Sequence, residues 1–422
     1  MTDTIFALSS GLPPAGIAII RISGRRAGDA LRLLIGKDLS PRRAVRCRFR
    51  SGDGSTLDDG LALWFPGTAT ATGEPVAELH LHGGRAVVAA VLEALAAIDG
   101  LRAATAGEFT RRAFENGRID LAEAEGLADL LAAETEGQRR AALALAEGGL
   151  SRLAGEWQEE VLRLSAQVEA ALDFSDEDDV AEGSGAAVYA ALAALLASLE
   201  GQLRNPPAER LRDGVRVVLA GPPNSGKSSL FNALVGRQAA IVTDIAGTTR
   251  DRIEAPVVID GIPLLIIDTA GLRDDSGDAI EAIGMVRTGE ALAEADVILW
   301  LGAEQARPTA ALLIAAKADL GVKDAGLPVS AHTGAGLGLL RSALIAQATA
   351  LLPTPGALAL NARHRAILRD VALEIEAAHG ANDLLITAEH LRTARNRLDA
   401  LTGRSGVEDM LDALFGAFCI GK

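Results

Sequence analysis

Cysteine, aromatic residues and net positive charge are all scarce in this chain of 422 residues. Its two cysteines, Cys47 and Cys419, are too few for a disulfide framework or a cysteine-based zinc site, which favours a reducing compartment. Aromatic residues make up only 3%, so the core must be built from the aliphatic part of a 49% hydrophobic composition, which itself excludes wholesale disorder. A formal net charge of −15 argues against binding to nucleic acid or anionic membrane through bulk charge. Any RNA contact must use a local basic patch.

Targeting and membrane-spanning segments are also missing. Residues 1–10 lack the basic, apolar and small-residue order of a secretion signal. The longest uncharged stretch, residues 342–362, contains Pro353, Pro355 and Gly356 and cannot form one membrane-spanning helix. We therefore expect a soluble, cytoplasmic protein with no membrane partner.

The patterns along the chain predict a multidomain α/β protein. Residues 1–118 mix β-like runs, Gly-rich turns and one Ala-rich helix, which indicates an α+β domain. Residues 119–210 and 353–422 have helical apolar spacing and are predicted to form two parts of one all-α domain, with residues 173–179 as a solvated loop and an apolar stripe near the C-terminus at Leu411, Leu414, Phe415 and Phe418. Residues 211–352 alternate strands and helices, so an α/β domain is inserted between the helical parts.

The strongest motif is a phosphate-binding loop. The segment from Gly221 to Ser228 fits G-x-x-x-x-G-K-[ST] between a strand-like run and a helix-like run; the other interpretation is a chance Gly-rich turn. Backbone N–H groups would surround phosphate oxygens, the Lys227 ammonium would neutralise the β- and γ-phosphates, and the Ser228 hydroxyl would bind Mg²⁺. The predicted nucleotide-binding residues here are Asn224, Ser225, Gly226, Lys227, Ser228 and Ser229.

A second motif, D-x-x-G, follows the apolar run 264–267. It places Asp268 at the end of a buried strand, where its carboxylate would orient Mg²⁺ through water, and Gly271 where its N–H would meet a γ-phosphate. A plain strand-end turn is the alternative. The predicted set is Asp268, Thr269, Ala270 and Gly271, and the two motifs together indicate a P-loop NTPase.

The base-binding motif is incomplete. Lys317 and Asp319 resemble the ends of N-K-x-D, in which the Asp accepts two guanine N–H groups, but Ala316 replaces the Asn. We predict guanine preference with weaker GTP binding, by about 1 kcal/mol. The loop Ser330, Ala331 and His332 would meet guanine O6, and a surface ion pair is the alternative for Lys317 and Asp319. The short span from Gly284 to Ala316 predicts that one helix-strand unit is trimmed around residues 305–309.

A switch-like segment precedes the D-x-x-G motif. Thr249 is predicted to supply the second hydroxyl to Mg²⁺. With Asn224 in the loop, the segment resembles the potassium-activated GTPases, which implies K⁺ ligation by Asn224, Thr243, Ile245 and Thr248; an Asn that only shapes the turn is the alternative. The GTP-binding residues predicted here are Thr243, Asp244, Ile245, Ala246, Gly247, Thr248 and Thr249.

The ends of the chain carry further motifs. These are the runs Asp3 to Ile5, Gly16 to Gly24, Glu78 to Gly84 and Gly107 to Phe114, and the terminal sequence Phe-Cys-Ile-Gly-Lys at 418–422. Together with the nucleotide motifs, they resemble the tRNA modification GTPases that act on the wobble uridine (MnmE/TrmE family) over nearly the whole length. The resemblance implies a Ras-like GTPase domain inserted in a helical domain, and an N-terminal α+β domain that forms a homodimer and binds 5-formyl-tetrahydrofolate.

The same resemblance implies further site residues. Arg21, Glu78, Arg118 and Lys422 match the folate-binding positions, Glu281 matches the residue that positions the attacking water, and Cys419 is a candidate catalytic thiol. A folate offers a glutamate tail to Arg or Lys and pterin N–H groups to a carboxylate. The alternatives are surface charges for Arg21 and Glu78 and an inert Cys419.

Two local patterns leave a choice open. His80 and His82 have no obvious carboxylate or cysteine partner, so we expect structural or folate-lining residues and no metal. Strand alternation would put Arg46, Arg48 and Arg50 on one face, where they would either contact tRNA phosphates or protect an edge strand from aggregation.

The sequence therefore predicts a K⁺-stimulated GTPase with Mg²⁺ and a folate cofactor. With a flavin-containing subunit in a heterotetramer, it would add an aminomethyl or carboxymethylaminomethyl group to C5 of uridine 34 in tRNA. The alternative is a GTPase that acts as a ribosome-assembly switch, although no RNA-binding module such as a KH domain follows the GTPase segment. A P-loop ATPase is disfavoured by Asp319.

Overall fold

The computed structural model describes residues 3–173, 181–236, 254–269, 289–321, 325–403 and 408–421, without side chains for 181–185 and 408–410. The chain forms two compact units, one of Met1–Ala128 with Asp399–Lys422 and the other of Asp129–Leu398. The expected multidomain α/β fold is confirmed. The finer division at residues 118, 210 and 352 stays a prediction, and the predicted loop at 173–179 lies almost entirely outside the described residues.

A six-stranded sheet forms the centre of the first unit. The spatial order is β3-β4-β5-β2-β1-β6, antiparallel except for the parallel pair β1 and β6. The strands are β1 (Thr4–Leu8), β2 (Ile17–Ser23), β3 (Val45–Arg50), β4 (Thr56–Phe65), β5 (Val76–His82) and β6 (Leu101–Ala103). β2 alternates buried and more exposed residues because only one of its faces is covered by a large core.

Helices cover the two faces of this sheet unequally. Helices α1 (Ala27–Ile35) and α2 (Arg85–Ala96) contribute to the main core, which contains Ile20, Ile22, Leu79, Val91 and Leu95. Helix α3 (Glu108–Glu115) adds Phe109 to a small cluster with Ile5 and Ala7 of β1. The remainder of that second face therefore leaves polar side chains of β2 and β5 accessible.

The end of the chain returns to this unit. Helix α13 (Glu408–Gly416) buries Leu411 and Phe415 against Leu121 and Ala124 of helix α4 (Leu121–Ala132). Phe418 is buried in the same cluster, and Leu414 packs at its edge. The apolar stripe predicted from the sequence is thus confirmed.

The second unit contains the long helices. They are α5 (Glu136–Ala146), α6 (Gly149–Asp173), α7 (Ala181–Leu203), the short α8 (Glu209–Arg212), α11 (Ala362–Gly380) and α12 (Leu384–Leu401). The sequence sets the start of α5, because Thr135 and Gln138 form a capping box at its N-terminus. The segment that enters the α/β part is fixed to the segment that leaves it, since the N–H of Ala208 donates to the Leu360 carbonyl at 3.0 Å.

One stretch of α7 is long and apolar enough, by length and composition alone, to span a membrane. Residues Ala186–Leu203 have a mean hydropathy of 1.5 over 18 residues. Leu192 and Leu199 of this stretch are nevertheless fully buried, and α7 packs on α6 and α11. These leucines belong to the face of α7 that packs in the bundle, while only 22% of the stretch as a whole is buried.

The second sheet has the order β12-β11-β10-β7-β9-β8, with all neighbours parallel except β8 and β9. Its strands are β7 (Val215–Ala220), β8 (Glu254–Ile259), β9 (Ile262–Asp268), β10 (Val297–Trp300), β11 (Leu312–Ala316) and β12 (Leu327–Val329). Helices α9 (Lys227–Val235) and α10 (Leu337–Leu351) pack on it. These strands are apolar because both faces of a parallel sheet are normally covered.

The expected trimming between residues 284 and 316 is only partly right. Strand β11 is present and pairs with β10, so no strand is lost. The connection from β10 to β11 contains a single 3₁₀ turn, Glu304–Ala306, where a parallel crossover usually contains an α-helix. The shortening removes a helix and leaves the strand order unchanged.

Candidate functional site

The loop after β7 has the backbone shape of a phosphate-binding loop. Gly221 and Gly226 have φ values of +147° and +102°, and a Cβ on Gly221 would lie 2.7 Å from the Leu301 carbonyl oxygen. Asn224 is the only other loop residue in the left-handed region, with φ +59°. Helix α9 begins at Lys227, so its first N–H groups face this loop. The glycines are therefore required by geometry.

Lys227 lies across the inside of this loop. Its side chain is buried, and its Nζ donates to the carbonyls of Gly221 at 3.0 Å and Pro222 at 2.8 Å. Ser228 and Ser229 follow on the first turn of α9 and are exposed. A buried ammonium beside accessible hydroxyls is an arrangement suited to a triphosphate with Mg²⁺.

Asp268 is brought next to the same loop by strand pairing. It ends β9 opposite Leu219 of β7, and its side chain is buried. The Thr269 hydroxyl donates to the Leu219 carbonyl at 2.8 Å, which fixes the start of the following loop. The predicted neighbours Ala270 and Gly271 lie outside the described residues.

A cavity of about 180 Å³ lies beside α9, where the base was expected. Lys317, itself in the left-handed region with φ +59°, donates from Nζ to the Asn224 carbonyl at 2.6 Å. A hydrogen bond from the buried Ser330 hydroxyl lowers the pKa of the Asp319 carboxyl. The structure thus brings together the two predicted base-binding segments, 316–319 and 330–332; the cavity is lined by Gly226, Ser229, Leu230, Ala316, Lys317, Asp319, Leu320, Val329, Ala331 and His332.

Several predicted site residues lie outside the described residues. They comprise the whole switch-like segment, the residue expected to position water, and the last residue of the chain: Thr243, Asp244, Ile245, Ala246, Gly247, Thr248, Thr249, Glu281 and Lys422. Their roles stay predictions.

A polar pair occupies the open face of the first sheet. Arg21 on β2 and Glu78 on β5 are direct cross-strand partners, and Arg21 Nη2 lies 3.0 Å from Glu78 Oε1. Their side chains are 26% and 19% exposed, so both are accessible without being free in solvent. The Arg21 guanidinium also lies 5.9 Å from the centre of the Phe109 ring. These contacts fix both charged groups on one surface.

Arg118 belongs to a neighbouring loop that is fastened to this surface. Its Nε donates to the Thr70 carbonyl at 3.1 Å, and Asn116 donates to the Thr72 carbonyl at 2.7 Å. The Thr72 hydroxyl is 2.7 Å from the hydroxyl of Ser23, two residues after Arg21 on β2. The loop that carries Arg118 is thereby fastened beside Ser23 of β2, the strand that also carries Arg21.

Sequence reasoning missed the buried ionic network below this loop. Arg112 is 1% exposed and contacts Glu74 at 3.0 Å, Glu108 at 3.0 Å and Asp3 at 3.1 Å. Burial would raise the pKa of the Glu108 carboxyl, but hydrogen bonds from Arg102, the Thr105 N–H and Arg112 bring it down to about 2. The only indication in the sequence was the density of charged residues in the run 108–112, which is equally typical of a solvent-exposed helix.

The C-terminal segment lies beside the same sheet. Ile420 forms an antiparallel bridge with Ala106, and the Gly107 N–H lies 3.5 Å from the Cys419 carbonyl oxygen. Gly421 has φ +97°, and a Cβ there would be 2.1 Å from the carbonyl oxygen of Leu8 on β1. Cys419 is exposed. The structure therefore places the segment that carries the candidate thiol next to β1, the strand that pairs with β2.

The statement that the two histidines lack carboxylate partners is wrong. His82 Nδ1 lies 2.8 Å from Asp58, and His80 Nε2 lies 3.4 Å from Glu78. Asp58 reaches His82 through strand pairing, which the sequence alone does not reveal, whereas Glu78 lies two positions before His80 on the same strand. Among the described residues, no group of three or more His, Cys, Asp or Glu side chains is arranged to hold a metal ion.

The second sheet and its loop define a P-loop GTPase domain: five parallel strands, one antiparallel edge strand, a glycine-shaped loop after β7 and a buried lysine at the start of α9. The sequence profile described as "MnmE helical domain" matches residues 121–419, and that described as "GTP-binding protein TrmE N-terminus" matches residues 4–118. The chain belongs to the MnmE family of tRNA modification GTPases.

Relatives named "tRNA modification GTPase MnmE" match over full length. The protein from Rhizorhabdus wittichii is 58% identical over 429 residues, covering 100% of this chain and 97% of the relative. That from Erythrobacter litoralis is 57% identical over 424 residues, covering 100% of both chains. Among solved structures, the G domain of the T. maritima FeoB iron transporter matches 32% of this chain and 98% of its own length at 24% identity, with a TM-score of 0.22 that supports no further conclusion.

Proposed function

We propose that this chain is a GTP-hydrolysing tRNA modification enzyme that acts with a flavin-containing partner on C5 of uridine 34, adding a carboxymethylaminomethyl or aminomethyl group. The observation that carries the proposal is the full-length identity of 58% to a relative named for tRNA modification. The geometry supports it, because a phosphate-binding loop and a base-sized cavity meet at Asn224 and Lys317. Deletion of the gene is expected to remove the modified nucleoside, as measured by mass spectrometry of tRNA.

GTP would bind with its phosphates in the loop and its guanine beside Asp319. In this arrangement Lys227 balances phosphate charge, Ser228 and Thr249 hold Mg²⁺, and Asp268 orients the metal through water. The buried position of Asp268 opposite Leu219 supports this role, since it ends β9 beside the strand that leads into the loop. Glu281 is proposed to position the attacking water.

We further propose that K⁺ stimulates hydrolysis through Asn224. The backbone carbonyl of Asn224 already accepts a hydrogen bond from Lys317. Asn224 itself is exposed at the rim of the loop. The side-chain oxygen is therefore the group that would ligate K⁺, with Thr243, Ile245 and Thr248 completing the site. A cation there would stabilise the charge that develops on the phosphates during hydrolysis.

This potassium proposal is tested by GTP turnover in KCl and in NaCl at equal ionic strength. Faster turnover in KCl is expected for the unmodified chain, and the difference should vanish in Asn224→Ala. Ala is disfavoured at the φ of +59° that Asn224 adopts, so GTP affinity is measured as the control for a change in loop shape. Equal turnover in both salts would contradict the role of K⁺.

The open face of the first sheet is proposed to bind 5-formyl-tetrahydrofolate. Glu78 would accept from pterin N–H groups, Arg21 beside it would donate to the same pterin edge, and Arg118 and Lys422 would contact the carboxylates. The residues fit the group, because a guanidinium and a carboxylate lie 3.0 Å apart on an accessible surface. The folate supplies a one-carbon unit when bound, and Cys419 lies on the segment beside β1 as the candidate thiol.

We also propose a homodimer through the N-terminal part of the chain, a heterotetramer with the flavin-containing partner and a location in the cytoplasm. Apolar side chains exposed at the start of β2 and just before it, Ile17 at 62% and Leu12 at 86%, support a protein contact there. Light scattering of the purified chain should give twice the mass of 43.5 kDa. A monomer at micromolar concentration would contradict the dimer.

A further inference from the structure

The basic run 42–50 contains five arginines and no acidic residue, in a chain with a net charge of −15. Arg42, the first of these arginines, makes contacts within the folded unit. Its guanidinium lies 5.7 Å from the centre of the Phe65 ring and donates to the Ala69 carbonyl at 2.5 Å. Arg43 is exposed in the turn before β3. The remaining three arginines lie on the strand itself and have a different environment.

Arg46, Arg48 and Arg50 share one face of β3. All three are exposed, while the alternating residues Cys47 and Phe49 are buried in the core at 4% and 0% exposure. Successive arginines are therefore spaced at about 6.6 Å along the strand. β3 is an edge strand of its sheet, so this row faces solvent along the border of the unit.

A single carboxylate faces these three guanidinium groups. Asp59 on β4 lies 2.9 Å from Arg46 Nε and 3.7 Å from Arg48 Nη2. Arg50 donates to the Gly54 carbonyl at 3.1 Å and forms no ion pair among the described residues. The row therefore retains an excess of positive charge, and its members are held in an extended arrangement.

Protection of an edge strand does not account for this composition. One charged side chain or one proline on an edge strand is enough to block pairing with the edge strand of another chain. Three arginines in register on the exposed face are more than that purpose needs. Guanidinium groups in a row suit a ladder of phosphates, which they bind bidentately.

We propose that Arg46, Arg48 and Arg50 bind the sugar-phosphate backbone of tRNA. The proposal rests on the proposed function, because it names the surface that receives the tRNA substrate. Phosphate contacts of this kind fix the position of a nucleic acid and carry no base information. The row is thus a docking surface, and selection of the wobble uridine occurs elsewhere.

The test is the affinity of the full chain for purified tRNA over a series of salt concentrations. The variant R46Q/R48Q/R50Q should bind about 10- to 100-fold more weakly near physiological salt, and its log–log salt slope should be smaller by about 2 to 3. The control R139Q/R140Q/R163Q removes the same charge from three exposed, ion-paired helix arginines and should change neither quantity. An unchanged affinity in the β3 variant, or an equal loss in the control, would overturn the proposal.

A second variant is expected to raise tRNA affinity, a change that misfolding would not produce. Asp59→Asn removes the carboxylate that competes with phosphate for Arg46 and Arg48, so tRNA affinity should rise about threefold or more. A fall in affinity, or absence of tRNA binding by the unmodified chain, would overturn the proposal as well. Failure of the proposed function would show separately, as an unchanged modified nucleoside in tRNA from cells lacking the chain.

Discussion

The Lys317 ammonium donates a hydrogen bond to the Asn224 carbonyl across 2.6 Å. This contact joins the turn after β11, where the guanine base is expected, to the loop that surrounds the phosphates. Because Asn224 is held in the left-handed region at φ +59°, the contact also helps to fix the loop shape. In the proposed binding mode, one side chain therefore couples base binding to phosphate binding.

Replacement of Lys317 by Met should weaken GTP binding at both ends of the nucleotide. A hydrogen bond from a charged donor is worth about 1.5 to 3 kcal/mol, so the Kd for GTP should rise by about tenfold or more. Isothermal titration with GTP and with GDP gives the measurement. Equal Kd values for the Met variant and the unmodified chain would show that the contact does not support the loop.

Replacement of Ala316 by Asn should tighten GTP binding. Ala316 Cβ would lie 3.7 Å from a Cβ built on Gly226, so a polar side chain there reaches the edge of the loop and the base cavity. The expected gain is about 1 kcal/mol, or about fivefold in Kd. Ala316→Leu, of similar size without the amide, should give no gain, and a gain in both variants would point to packing as the cause.

Arg21→Ala should abolish the binding of 5-formyl-tetrahydrofolate to the full chain. The substitution removes the cation that lies 3.0 Å from Glu78, and with it a hydrogen-bond donor at the proposed pterin edge. Arg32→Ala, on exposed ion pairs of α1, is the matched control and should bind as before. Retention of folate affinity in Arg21→Ala would remove this residue from the site.

The buried carboxylate of Glu108 should make the first unit sensitive to acid. Its pKa falls from 4.5 to about 2 on folding, so it stabilises the fold above pH 4.5 and this contribution is lost as the pH falls toward 2. The full contribution is about 3 kcal/mol. Protection factors from amide hydrogen exchange in β1 and α3, which are corrected for the intrinsic pH dependence of exchange, should fall over that range in the unmodified chain.

The variant Glu108→Gln tests that assignment. It should exchange faster at pH 7, because Arg112 keeps its charge in a site that is 1% exposed, and its exchange should vary less between pH 5 and pH 3. Glu115→Gln removes a half-exposed carboxylate from the same helix and should resemble the unmodified chain. A pH dependence equal to that of the unmodified chain would place the acid-sensitive group elsewhere.

Local patterns predicted the elements that carry the nucleotide site. The apolar run 215–220 forms β7, the apolar run ending at Ile267 forms β9, and α9 begins at the lysine of the loop motif. Each rests on short-range chemistry: apolar residues in a buried parallel strand, and glycine where φ is positive. The helical stripe ending at Phe418 was predictable for the same reason.

Contacts between distant segments could not be predicted in this way. Arg112 pairs with Asp3 and Glu74, which are 109 and 38 residues away, and only the packing of α3 on β1 brings them together. The partnership of His82 with Asp58 arises from strand pairing. The 3₁₀ turn at Glu304–Ala306 could not be predicted either, because a short distance along the sequence does not reveal whether a helix or a strand is missing.

The central claim is tested most directly by mass spectrometry of tRNA nucleosides from cells that lack this chain. The C5-modified wobble uridine should disappear, return with the unmodified gene, and stay absent with the Lys227→Ala gene, whose product lacks the buried ammonium of the phosphate loop. Unchanged modification in cells without the chain, together with altered ribosome profiles, would contradict the account and favour a GTPase that acts in ribosome assembly.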